Sequence, residues 1–113
     1  MELAYTAMRK RAEEAAIRIV MEALERAYGV TAKELVSSGR PDRIAWPRMV
    51  GMACLAERYG LSQEQAARAF GRRCHSSVRH AIDAVRDRSD TCLESRKGHD
   101  AFIAALDRKD DAA

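Results

Sequence analysis

The apolar and charged positions of this chain alternate with a helical period over most of its length. Ala15, Ile19, Ala23 and Ala27 recur every four residues with Ala16, Val20 and Leu24 beside them, so one apolar stripe runs from roughly Thr6 to Tyr28 opposite a charged face. Gly29 supplies a C-terminal stop. Thr31-Ala-Lys-Glu34 then has capping-box spacing, which predicts a short helix to about Val36. Ser37-Ser-Gly-Arg-Pro-Asp-Arg43 lacks periodicity and is punctuated by Gly and Pro, so it reads as a loop. Pro47 suits the first turn of the next helix, where its missing N–H costs nothing. Val50, Cys54 and Leu55 give that helix an inward face, widened by Met49, Met52 and Ala53, until Tyr59-Gly60 ends it.

Ser62-Gln-Glu-Gln65 is a second capping box, opening a two-turn helix that stops at Gly71. After a turn at Arg72-Arg-Cys74, Val78, Ile82 and Val85 repeat at i, i+4 and i+7, predicting a helix from about His75 to Asp90. Two helices joined through a few residues containing Gly form an angled pair, the helix-turn-helix arrangement. The remainder, 91–113, is predicted as a tail with one short helix around Asp100 to Leu106, carrying Phe102, Ile103 and Leu106. The fold class expected is all-α: a compact helical domain with a helix-turn-helix, a long N-terminal helix and a short C-terminal one.

Composition agrees with one domain. The chain has 113 residues, 47% of them hydrophobic, and only Pro41 and Pro47 as prolines. The formal charge of +3 is too mild to identify a partner, but its distribution is uneven. Residues 1–37 carry six positive and six negative side chains, and residues 91–113 carry four and five. Between Gly39 and Asp90 stand ten arginines against six acids, and from Arg68 to Arg79 four arginines and no acid. That stretch is the candidate electrostatic footprint for a polyanion.

Other classes are disfavoured. No apolar run approaches the ~20 residues that span a bilayer. Three cysteines without a signal-peptide pattern argue against a secreted disulfide framework and for a reducing cytoplasm. Cys74, His75, His80 and Cys92 lack paired metal-ligand spacing, so no metal or cofactor is expected. Cys74 beside His75 has no orienting carboxylate in view, so an enzyme is not expected either.

A recognition helix acts by presenting its N-terminal side chains to base edges in the major groove. Here Arg72 and Arg73 lie in the turn. His75, Ser76, Ser77, Arg79 and His80 fall at or near the outward start of the helix. Arg40 and Arg43 add a basic loop upstream, and an arginine on such a loop can enter a narrow minor groove. On pattern alone, a capped two-helix corner also occurs in all-α proteins that bind no nucleic acid. The loop by itself reads as an ordinary solvated one.

Over roughly Ile19 to Arg88 the sequence resembles the C-terminal DNA-binding domain of the bacterial chromosomal replication initiator DnaA. The resemblance runs through Tyr28-Gly-Val, Glu34-Leu, Arg40, Ile44-Ala-Trp-Pro-Arg48, Ala69-Phe-Gly71 and His75-Ser-Ser-Val-Arg-His-Ala-Ile82. The family's Phe-Gly-Gly-Arg-Asp-His-Thr-Thr-Val stands here as Phe70-Gly-Arg-Arg-Cys-His-Ser-Ser-Val78. The resemblance implies that Arg40 enters the minor groove, that Arg48 grips phosphate, and that His75, Ser76 and Ser77 contact bases and backbone.

Ser76 and Ser77 keep the hydroxyls of the family's threonines, and the departures that matter most are at 74, 46 and 72. Cys74 replaces an aspartate that accepts from a cytosine amino group, and a neutral thiol is a poor acceptor. Trp46 replaces an arginine of the basic loop, and Arg72 replaces a glycine. The implied organisation is an N-terminal extension of the first helix (1–18), a DnaA-like DNA-binding domain (19–90) and a tail (91–113). No GxxxxGK[ST] motif occurs, so a stand-alone paralogue is expected. It would bind double-stranded DNA in the nucleoid and act in replication initiation or its control. The alternative is a protein-interaction module that binds the initiator or its regulators, with Trp46, Met49 and Met52 as its surface. The oligomeric state is left open.

Overall fold

A computed structural model describes residues 2–37, 42–72 and 76–112. The described residues form six helices and no strand: α1 (Glu2–Tyr28), α2 (Ala32–Leu35), α3 (Asp42–Glu57), α4 (Gln63–Ala69), α5 (Ser76–Thr91) and α6 (Leu93–Ala112). Both capping boxes are present. Thr31 accepts from the Glu34 amide while the Glu34 side chain accepts from the Thr31 amide, and Ser62 and Gln65 repeat the arrangement at α4. Each box satisfies amides that a helix start otherwise leaves without partners.

Helix α3 is the centre of the fold, packing against α1, α2, α4 and α5. Val50, Met52, Ala53 and Leu55 are all buried, so nearly its whole circumference is inward. A helix apolar on all sides belongs inside. Helix α6 closes the other side, against α1 and α5, with Phe102 and Leu106 fully buried.

Two boundaries differ from the sequence expectation. Helix α3 begins at Asp42, a turn before the predicted start, so Arg43 and Ile44 belong to a helix and Pro47 lies inside it. Ile44 is buried in the common core, and that burial carries the helix across a loop-like stretch. Proline there removes one backbone bond and crowds the carbonyl of Arg43, a cost that the buried core offsets. Helix α6 begins at Leu93, well before the predicted Asp100. Its first turns bury little, but Arg96 turns back to donate to the carbonyls of Ser89 and Asp90 near the end of α5. Those carbonyls lack helical partners, and a cation is favourable there.

Among the described residues, no helix is long and apolar enough to cross a membrane, and no three His, Cys, Asp or Glu residues cluster as metal ligands would.

Candidate nucleic-acid interface

The exit from α4 is set by local chemistry. The amides of Gly71 and Arg72 donate to the carbonyls of Arg68 and Ala67 at 3.0 and 2.8 Å, closing α4 in a Schellman motif. Gly71 has φ +69, and a Cβ there would stand 2.8 Å from the carbonyl oxygen of Val36. Only glycine meets both demands without strain. The turn of the helix-turn-helix therefore rests directly on the chain that leads out of α2.

Arg48 fastens that same chain. It is only 5% exposed, and its Nε and Nη2 donate to the carbonyls of Leu35 and Ser37 at 2.8 and 3.0 Å. Arg72 Nη2 donates to the Ser37 carbonyl as well, at 3.3 Å. Arg43 faces α2, pairing with Glu34 at 2.6 Å and donating to the Gly29 carbonyl. The guanidinium of Arg43, aided by the Thr31 amide, holds the Glu34 carboxyl at about 2, well below its ordinary value.

Between the first turns of α3 and α5 lies a groove of about 360 Å³ lined by Ala45, Arg48, Met49, Met52, Arg72, Ser77 and His80. Four of the predicted site residues therefore meet around one concavity beside the start of α5. The dipole of that helix adds partial positive charge there. Arg79 is exposed on the next turn, with Asp83 no closer than 3.9 Å. Ser76 is the first residue of α5. Arg40, Arg73, Cys74 and His75 lie outside the described residues.

Trp46 has a placement that the sequence did not signal. Its indole lies under the Arg88 guanidinium, 4.8 Å from ring centroid to the guanidinium carbon, with its N–H buried. The Tyr28 hydroxyl is buried too. Burial raises the Tyr28 pKa, partly offset by the neighbouring Trp46 side chain. Met52 belongs to the core and Met49 packs against it. These contacts tie Trp46 of α3 to α5 and α1, while Met49 and Met52 also line the groove.

Residues 17–85 match the family described as bacterial dnaA protein helix-turn-helix. Similar relatives include chromosomal replication initiator proteins DnaA. That of Thermomicrobium roseum is 35% identical over 79 residues, covering 68% of this chain and 17% of the relative. The Streptococcus mutans protein is 31% identical over 93 residues, covering 76% and 21%. The protein of Lactococcus lactis subsp. cremoris is 28% identical over 86 residues, covering 76% and 19%. The chain thus spans about a fifth of the length of these relatives.

Proposed function

The chain belongs to the bacterial DnaA helix-turn-helix family, and from that premise we propose that it binds double-stranded DNA, in a role tied to replication initiation or its control. The observation that carries this reading is the groove where Arg48, Arg72, Ser77 and His80 converge beside the first turn of α5. Helix α5 enters the major groove by its N-terminus, with His75, Ser76 and Ser77 toward base edges and phosphates. Arg79 and His80 flank that end, Arg73 adds charge in the turn, and Arg40 reaches the adjacent minor groove. Arg43 and Arg48 act mainly by holding the chain on either side of Arg40, through Glu34 and through the carbonyls of Leu35 and Ser37. The proposed division is an N-terminal helix extension over 1–18, the DNA-binding unit over 19–90, and the α6 region after it.

Sequence preference follows from Cys74. A thiol accepts hydrogen bonds weakly, so a cytosine amino group that an aspartate would select loses its partner. Each such base contact contributes roughly 1–3 kcal/mol of discrimination. Selection from a pool of random duplexes is expected to enrich a defined motif with the natural chain. Cys74→Asp is expected to shift that motif toward cytosine at one position. If neither protein enriches any sequence and neither retains duplex at low salt, the proposal fails.

A further inference from the structure

Three successive carbonyls, those of Leu35, Val36 and Ser37, are held from two directions. Arg48 of α3 donates to the first and third. Gly71 lies so close to the second that a Cβ would stand 2.8 Å from its oxygen. Arg72, the next residue of the turn, donates to the third from its own side. Ser37 precedes Arg40 by three residues, and Arg72 lies four residues before α5. One carbonyl thus receives guanidinium groups from both parts of the proposed interface.

Two cations on one acceptor repel each other, and such an arrangement holds only where the oxygen is well placed between them. The neighbouring contacts place it. The Ser37 amide and hydroxyl both bond the Glu34 carbonyl, at 3.2 and 2.6 Å, holding the residue that bears the shared carbonyl. A glycine at position 72, as in the family pattern, has no side chain to make this bond.

We propose that Arg72 is a positioning residue, which ties the chain leading to Arg40 to the turn of the helix-turn-helix so that loop and recognition helix meet DNA as one surface. This rests on the DNA-binding reading above. The bond holds Ser37 in place in the free protein, and preorganisation of that kind raises affinity without adding a contact to the ligand.

The test is Arg72→Met, which keeps an aliphatic stem and removes the donors. Binding to the duplex selected by the natural chain is expected to weaken roughly five- to twentyfold, the scale of losing preorganisation at an interface. The slope of log K against log[salt] is expected to stay unchanged. In an Arg40→Ala background the same substitution is expected to weaken binding less than about twofold, because residues acting through a shared element are not additive. In the free protein, amide exchange at Val36 and Ser37 is expected to accelerate several-fold, with α1 unaffected.

A slope that falls by about one would make Arg72 a phosphate contact instead and overturn the proposal. Additive losses in the Arg40→Ala background would also overturn it, as would unchanged exchange at Val36 and Ser37. Failure of the natural chain to bind any duplex would remove the DNA reading, while the exchange rates would still decide whether Arg72 fixes this segment.

Discussion

Arg48→Met is expected to lower stability by about 2–3 kcal/mol, the scale for leaving buried carbonyls without charged donors. For a chain of this size that corresponds to a fall in Tm of roughly 8–12 °C. Methionine fills similar space, so little of the loss comes from packing. It comes from the carbonyls of Leu35 and Ser37, which Arg48 holds from its buried position on α3. The Ser37 oxygen keeps Arg72, whereas among the described residues no second side chain donates to Leu35. Duplex affinity is expected to fall at least about tenfold, through a lost charge and a loosened chain before Arg40. Phe102→Leu is the matched control, because it weakens the buried packing of α6, none of whose described residues lines the groove. A Tm for Arg48→Met within about 2 °C of the natural chain would show that these bonds do not hold the segment.

Gly51→Ala is expected to destabilise the protein although it improves helix propensity. Alanine in a helix interior gains about 1 kcal/mol over glycine. At this position a Cβ would collide with Phe70 Cζ and stand 2.8 Å from Leu24 Cδ1. Both neighbours are fully buried, so the new methyl has to displace core side chains. Overpacking of this kind costs about 1–3 kcal/mol and occasionally more, and a contact this short belongs at the upper end. The expected net loss is about 2 kcal/mol, read from urea unfolding. Phe70→Leu removes the ring edge that the methyl meets. In the Gly51→Ala background it is expected to recover about 1 kcal/mol, against a loss when made alone. Phe70 is the C-cap of α4 and precedes Gly71, so a ring forced aside also disturbs the turn. A Gly51→Ala chain more stable than the natural one would mean that propensity outweighs packing at this helix crossing.

The elements legible in the sequence were those fixed by chemistry within a few residues. Thr31 with Glu34, and Ser62 with Gln65, mark helix starts because each box closes on itself. The stop at Gly71 was legible for the same reason. The start of α3 was not. Gly39 and Pro41 suggest a loop and Pro47 a first turn, and the burial of Ile44 that overrides them is a tertiary effect. The first turns of α6 were hidden similarly, since they bury little and are tied to α5 through Arg96.

The candidate site divides along the same line. Basic residues at 43, 48 and 72 were visible as charge, but not what each guanidinium reaches. The bond from Arg72 to Ser37 spans 35 residues and depends on the turn resting against Val36. Trp46 looked like material for a partner surface because nothing local places Arg88 over its ring. Periodicity reports which face is inward, and capping motifs report where helices begin. Neither reports which distant carbonyl an arginine will choose.

The measurement that bears most directly on DNA binding is the affinity of the natural chain for duplex DNA between about 50 and 200 mM salt, because phosphate contacts release counterions. With about five phosphates engaged, the slope of log K against log[salt] is expected to be roughly −4 to −5. A flat response, or no binding at the low-salt end, would contradict the proposal that the groove beside α5 meets DNA.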